Sequence, residues 1–406
     1  MPRVIVIGAG AAGSMAAIFA ARGGAETILL EGSPDGGRKI LISGGGRCNI
    51  LPMVVDEARY ITDSSPNLLR KMLRAWPVGE QRAFFETDLG IPLAEEQELN
   101  KLFPASNRAR DVRDGLLTAA KSAGVRVLHG QRVVGIEPTD GGWRVDIGDS
   151  ASMTGDRVIL ATGGLSVPAT GSDGTGLRML SQLGYKMHER YAALTPITAP
   201  PSSYTALAGL SLTVTITARS AARSSKATGG FLFTHRGYSG PSVLNVSHVV
   251  VRARAAGLPA TLTVQWTPLQ DADWEARLRP EGGRTVTGAV RAELPDRLAT
   301  VLIAAAAVDP SRLLSDLRRA ERLRLVETLV RGDLPWNGDE GYKKAEVTGG
   351  GVALSEVHPR TMESRRHPGL FLCGEVLDAF GPIGGYNFLW AWSTGRAAGL
   401  GAAATH

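Results

Sequence analysis

The run Arg3-Val-Ile-Val-Ile7 leads into Gly8-Ala-Gly-Ala-Ala-Gly13, and all eighteen residues from Val4 to Ala21 are uncharged. A run of that length can imitate a membrane span or a secretion signal. Here, however, the glycines fall where a strand turns into a helix, Ser14 interrupts the apolar run, and a second strand, Thr27-Ile-Leu-Leu30, follows at once and ends on Glu31. That order predicts a buried β-α-β unit. Gly8 permits the tight turn, Gly10 lets the backbone approach a diphosphate, and Gly13 lets the helix lie close on the strand. The helix N–H groups left open by the turn favour negative charge. Glu31, about twenty residues beyond the glycines, is placed to accept hydrogen bonds from ribose hydroxyls.

Two more glycine segments narrow the ligand. Ser43-Gly-Gly-Gly46-Arg-Cys-Asn49 follows the second strand, and Gly369-Leu-Phe-Leu-Cys-Gly-Glu375 is a short apolar strand ending in Gly-Glu. Gly384-Gly-Tyr-Asn387 then opens a helix-like segment with Trp390 and Trp392. An acid at a strand end can bind a polyol hydroxyl, and a helix start favours negative charge on a ligand. In a flavin these are the ribitol and the N1/C2 region, and an NAD dehydrogenase has no comparable need for all three segments. FAD, bound without a covalent link, is therefore the expected cofactor. No second strand-coupled GxGxxG follows, since Gly171-Ser-Asp-Gly-Thr-Gly176 has the wrong spacing. A dedicated NAD(P)H domain is disfavoured, while NADH or NADPH docking transiently at the flavin face stays open.

The rest of the chain sets bounds. At 406 residues two or three domains are expected, and the fifty glycines cluster in motifs. Cys48 and Cys373, the only cysteines, form neither a disulfide framework nor a CxxC pair, and no His/Cys group has zinc spacing. No metal and no membrane partner are expected, and a reducing cytoplasm is the expected location. The net charge of +6 attracts anions in general. Its densest basic stretch, Arg312 to Arg331, reads as one solvated amphipathic helix in which Arg312/Asp316, Glu321/Arg324 and Glu327/Arg331 stand at helical pairing distance. Nucleic acid is accordingly not an expected partner.

Residues 57 to 90 read mainly as helices broken at Trp76-Pro77, and Asn107 to Ala123 as another helix. Strands are predicted at Arg126 to His129, Arg132 to Glu137, Trp143 to Ile147 and Arg157 to Ala161. Composition changes near Leu194-Thr-Pro196. Strands follow at Leu210 to Ala218, Phe231 to Phe233 and Thr261 to Trp266, then a helical region from 271 to 335. The glycine-rich style returns at Glu346, so a part-β, part-helical insertion interrupts the dinucleotide-binding domain.

The segments Gly37-Arg-Lys-Ile-Leu-Ile-Ser-Gly-Gly-Gly-Arg-Cys-Asn49, Leu160-Ala-Thr-Gly-Gly164, Phe233-Thr-His-Arg-Gly-Tyr-Ser-Gly-Pro241, Val347-Thr-Gly-Gly-Gly-Val352 and Gly374-Glu-Val-Leu-Asp378 carry a resemblance. With Gly384-Gly-Tyr-Asn387 they resemble the bacterial aminoacetone-oxidase-like FAD-binding flavoproteins, which include NAD(P)H-dependent reductases of steroid-ring double bonds. The resemblance implies an α/β fold, a glutathione-reductase-like FAD-binding Rossmann domain interrupted by an inserted β-barrel-like and helical region. The boundaries are 1–192 and 344–406 for the FAD domain, 193–270 for the β-rich insertion and 271–343 for the helical one.

Carried onto matching positions, Gly8, Gly10, Gly13 and Glu31, with Ala11, Ala12 and Gly32, would bind the ADP half. Arg38, Lys39, Ser43, Gly44, Gly45 and Gly46 would follow the pyrophosphate and ring. Val133 and Val134 would lie beside adenine, and Ala161, Thr162 and Gly163 would close the ADP side. Gly374 and Glu375 would take the ribitol, and Gly385, Tyr386 and Asn387 would approach the flavin ring. Arg47 can hold a substrate anion, an acidic partner or, the favoured role, a cofactor phosphate. The chain departs from the family at Ile50-Leu51-Pro52, where a polar pair is usual, and at Leu389, where Gln commonly precedes Trp390.

A bound flavin carries the redox chemistry and the protein supplies position and electrostatics. The leading reading is an NAD(P)H-linked reductase of an activated double bond in a small organic substrate. An oxygen-using amine oxidase and, from another class, a flavoprotein binding or modifying RNA are the alternatives. Three residues are catalytic candidates. Cys48 lies beside Arg47, whose charge favours a thiolate, against a plain packing role. His235 can donate a proton or bond a backbone turn. Tyr386 can donate a proton or shape the pocket.

Overall fold

The predicted β-α-β unit is the middle of a five-stranded parallel sheet in the computed structural model, which describes residues 1–148 and 150–404. Strand β1 (Arg3–Ile7) pairs with β2 (Glu26–Glu31), and β2 with β3 (Arg126–His129). On its other side β1 pairs with β4 (Arg157–Leu160), and β4 with β5 (Leu370–Leu372). Val4 to Ile7, Val158 to Leu160 and Leu370 to Leu372 are all buried, as continuous apolar strands must be when both sheet faces are covered. The sheet is thus completed by a strand more than 200 residues downstream of its neighbour.

Helices α1 (Ala11–Arg22), α2 (Ala109–Ser122) and α3 (Tyr386–Ala403) belong to the same unit, and α1 packs on both others. The α1–α3 contact depends on two glycines one helical turn apart. A Cβ on Gly395 would lie 2.4 Å from the Ala12 carbonyl oxygen, and one on Gly399 2.3 Å from that of Ala16. Backbone packing of this closeness explains the uncharged run: it is sealed by sheet and helices. Among the described residues no helix is long and apolar enough to cross a membrane.

Contacts divide the chain into Met1–Ala192 with Glu346–His406, and Ala193–Ala345. The first unit also holds an antiparallel sheet of Val133–Thr139, Gly142–Ile147 and Ala151–Gly155, and a hairpin of Leu93–Glu96 and Lys101–Pro104. The last strand of that sheet escaped the sequence reading because its residues are mostly small or polar, and the hairpin because its strands are four residues long and its buried Leu102 and Phe103 are adjacent rather than alternating. The predicted break at Trp76-Pro77 falls between helices Pro66–Arg74 and Val78–Ala83, the second ending in a π-helical turn, Phe84–Asp88.

The second unit is built on a seven-stranded antiparallel sheet whose long members are Ser211–Ser220, Ser224–Thr234 and Ala260–Gln265. Helix Pro241–Ala255 packs on it, and helices Asp271–Arg277, Val286–Arg291, Asp296–Ala305 and Arg319–Arg331 share its single apolar core with Phe231, Trp266 and Trp274. The single helix expected from Arg312 to Arg331 is a correction: it begins only at Arg319. Of its expected pairs Glu327–Arg331 forms, but Arg312 bonds Glu321 at 3.2 Å.

Candidate functional site

The carboxyl ends of β1, β2, β4 and β5 open on a cleft of about 760 Å³ within the first unit. Open α/β sheets leave such crevices where the strand order reverses, and β1 is that point here. At the end of β1, Gly8 turns with φ +101° and its N–H donates to Leu30 O at 2.8 Å. A Cβ on Gly13 would sit 1.8 Å from Gly8 O, so this glycine packs helix on turn and does not line the cleft. Gly10, Ala11 and Ala12 do line it. No side chain caps the start of α1 and no acid occupies its first turn. Glu31 also faces the cleft, its two oxygens accepting from Ala9 N at 2.8 Å and Ser33 N at 2.7 Å. Each carboxylate oxygen keeps lone-pair capacity for a further donor. Gly32, Val133, Ala161, Thr162 and Gly163 extend the same wall.

The second glycine segment meets the last one through side chains. Lys39 Nζ donates to Ser166 Oγ at 2.7 Å and to Glu375 Oε2 at 2.8 Å, while Glu375 Oε1 accepts from Ser166 Oγ at 2.7 Å and Thr348 N at 2.9 Å. Burial pushes the Glu375 carboxyl up, but the Lys39 charge and these hydrogen bonds outweigh it and hold the group below the usual carboxylate range. Ser166 and Thr348 were not anticipated. Their signal was Thr162-Gly-Gly164: a Cβ on Gly164 would lie 2.4 Å from Thr348 Oγ1 and 2.7 Å from Glu375 Oε1. Arg38 lines the cleft but pairs with Asp35 at 2.7 Å. Ser43, Gly44 and Gly45 line it as well, whereas Gly46 does not.

Arg47 reaches the cleft too, with its guanidinium bonded to Glu96 and to Asn107 Oδ1 at 2.8 Å and lying 4.0 Å over the Phe103 ring. Glu96, Leu99, Lys101 and Phe103 come from the unpredicted hairpin and form one side of the cleft. Burial holds the Lys101 ammonium below its ordinary pKa. Across the cleft Glu346 is open to the cavity yet surrounded by enough protein that desolvation raises its carboxyl, against the pull of Lys39.

The third segment ends in α3, which starts at Gly385 without a side-chain cap from that residue and without an acid in its first turn. Gly374, Gly385 and Asn387 line the cleft. With the Asn49 amide oriented to satisfy both its ends, its oxygen accepts from Gly385 N at 3.1 Å and its nitrogen donates to Leu51 O at 3.2 Å. Asn387 clamps Gly381, accepting from its N–H at 2.9 Å and donating to its carbonyl at 3.0 Å. Its side chain therefore shapes the Gly381–Gly385 loop.

Several candidates are displaced from this cleft. Cys48 is fully buried, and burial pushes its thiol up to about 12, so the thiolate expected beside Arg47 does not form at neutral pH. Tyr386 is buried behind the cleft wall, its ring 5.5 Å from that of Tyr60 and its hydroxyl accepting from Asp56 N at 3.3 Å. Val134 is 46% exposed and points away from the cleft that Val133 lines, as neighbours on a strand must. His235 is exposed in the turn between Ser224–Thr234 and Gly237–Ser239 of the second unit. The two departures from the family pattern, Ile50-Leu51 and Leu389, are buried core residues. They alter packing and not the cleft lining. Among the described residues no His, Cys, Asp and Glu group could hold a metal ion.

Residues 2–401 match the family model described as HI0933-like protein Rossmann domain. The chain is 31% identical over 398 residues to the ribosomal RNA dihydrouridine synthase of Escherichia coli, covering 96% of this chain and 95% of that one. It is 30% identical over 411 residues to the 3-dehydro-bile acid delta(4,6)-reductase of Clostridium scindens, covering 99% of each. A solved structure of 3-ketosteroid delta1-dehydrogenase from Sterolibacterium denitrificans covers 99% of both chains with a TM-score of 0.53 at 13% identity, a likeness of fold.

Proposed function

The chain belongs to the HI0933-like Rossmann-domain family of flavin-dependent oxidoreductases, and from this we propose that it is an FAD-dependent reductase of a carbon–carbon double bond conjugated to a carbonyl, with NADH or NADPH as electron donor. One observation carries the choice of reaction. Two relatives matched over nearly their whole lengths carry names that imply such reductions. Making dihydrouridine saturates the uracil bond next to a carbonyl, and a 3-dehydro delta(4,6) compound has its double bonds conjugated with the 3-oxo group. Conjugate reduction of either bond system would add hydride to the carbon remote from the carbonyl and a proton to the carbon beside it.

The cleft fits FAD on its own terms. Two helix starts, of the 12-residue α1 and the 18-residue α3, open on it with no acid in either first turn, and a Cβ on Gly10 would meet nothing within 4 Å. In this reading the α1 N–H groups hold the diphosphate, Glu31 accepts from the ribose hydroxyls, and the start of α3 stabilises negative charge on the ring. Lys39 and Glu375 fix the cleft wall between those ends. When bound, FAD supplies the two-electron chemistry at its N5. Glu346 and Lys101, whose carboxyl is raised and whose ammonium is lowered by burial, are the cleft groups that would hold and give up the proton in this reading.

Purified protein is expected to be yellow and to release FAD on denaturation. Glu31→Ala should weaken FAD retention about tenfold, equivalent to about 1.4 kcal/mol, read as flavin-to-protein ratio after dialysis; unchanged retention removes Glu31 from the ribose contact. Anaerobic bleaching by NADH or NADPH supports the reductase. Bleaching by an amine and by neither nicotinamide supports the oxidase alternative.

A further inference from the structure

Charge is unevenly divided between the two units. Met1–Ala192 with Glu346–His406 contains 26 Lys and Arg against 26 Asp and Glu, whereas Ala193–Ala345 contains 19 against 13. The whole net charge of +6 therefore belongs to the second unit.

Within that unit, five arginines lie between residues 312 and 324. Glu321 is occupied by Arg312 at 3.2 Å and by the Arg318 backbone N–H at 3.0 Å. Arg324 turns to the carbonyls of Ala306 and Ala307, at 3.0 and 3.3 Å. Arg318, Arg319 and Arg322 are left without an acidic partner among the described residues, the first two exposed. They sit where helix Arg319–Arg331 begins, and positive charge there opposes the helix dipole. These side chains thus do nothing for the stability of their own helix.

We propose that Arg318, Arg319 and Arg322 form a docking surface for the phosphate backbone of RNA. Three guanidinium groups within one helical turn suit a polyanion with regularly spaced charges, and each fork can bond two phosphate oxygens. The proposal rests on reading the cleft as a site for a carbonyl-conjugated double bond, since uracil in RNA is one carrier of that group. The naming of one relative for an RNA product supports the same choice of partner.

The test uses the full FAD-loaded chain and protein-free ribosomal RNA, with affinity measured by filter binding across a salt series. Wild-type protein is expected to bind with an affinity that falls steeply with salt. The triple variant R318E/R319E/R322E should bind at least about tenfold more weakly at low salt, and the slope of log K against log salt should shrink by about 2, the loss of three contacts at about 0.7 each. The triple lysine variant should stay within about threefold of wild type, because lysine keeps the charge. Flavin content and anaerobic bleaching by NADPH should be the same in all three. Absence of RNA binding by wild type at low salt overturns the proposal, as does a glutamate variant that keeps both affinity and slope. If RNA binding behaves as expected while wild-type flavin is never bleached, the reading of the cleft fails and the docking surface stands.

Discussion

Replacing Gly13 with alanine is expected to abolish FAD retention and to destabilise the protein by about 3 kcal/mol, at the upper end of what overpacking costs. The added Cβ would lie 1.8 Å from Gly8 O and 3.1 Å from Gly8 C. Neither neighbour is a side chain that can swing aside. Relief requires α1 to move off the turn, which removes its N–H groups from the cleft and strains the packing of Gly395 and Gly399 against Ala12 and Ala16. Urea denaturation with flavin fluorescence on the same samples checks both parts. A variant with wild-type stability and a full complement of FAD contradicts this role of the glycine.

The second large effect is expected at Glu375. Its side chain is 17% exposed and that of Lys39 28%, so Glu375→Ala leaves a poorly solvated ammonium and strips acceptors from Ser166 and Thr348 N. Breaking one side of such a pair costs about 3 kcal/mol. The double variant Lys39→Met with Glu375→Leu should recover most of that loss, because it removes both charges together. The pH dependence has a definite sign. Glu375 is held below its ordinary value of 4.5, so the stability it contributes is complete above that pH and is lost as pH falls below it. Denaturant midpoints for wild type and both variants, taken at neutral pH and at about pH 4, test this. Equal acid sensitivity in all three proteins would assign the loss to other groups.

How much of this was legible in the chain follows from where each signal is encoded. The β1–α1–β2 order, Gly13 and Glu31 are local, and they read correctly as a buried unit opening on a cleft. The Glu375 position also read from its strand-end context, although its partners Ser166 and Thr348 lie 209 and 27 residues away. Hydrogen bonds over such separations leave no periodic trace. The hairpin carrying Glu96 and Lys101 was invisible because its strands are four residues long and its buried apolar residues, Leu102 and Phe103, are adjacent rather than alternating. Cys48 and Tyr386 stand in the right segments, but a backbone direction decides which of two neighbours faces a cavity, and Arg47 and Asn387 took those places. The charge pattern of residues 312–331 misled for a related reason: i,i+4 pairing assumes one continuous α-helix, and before Arg319 the chain forms only a separate 3-10 turn, Leu314–Asp316.

The central claim, an FAD-dependent reductase of carbonyl-conjugated double bonds, is tested most directly by following the flavin band through one anaerobic cycle. The protein is loaded with FAD, bleached with one equivalent of NADH or NADPH, and then mixed without oxygen with a 4-en-3-one steroid, with uridine-containing RNA, or with the saturated counterpart of each. The flavin colour should return with at least one unsaturated acceptor, in proportion to the acceptor consumed, and with neither saturated one. Bleached flavin that no conjugated acceptor reoxidises, or protein that takes up no FAD, would contradict the account.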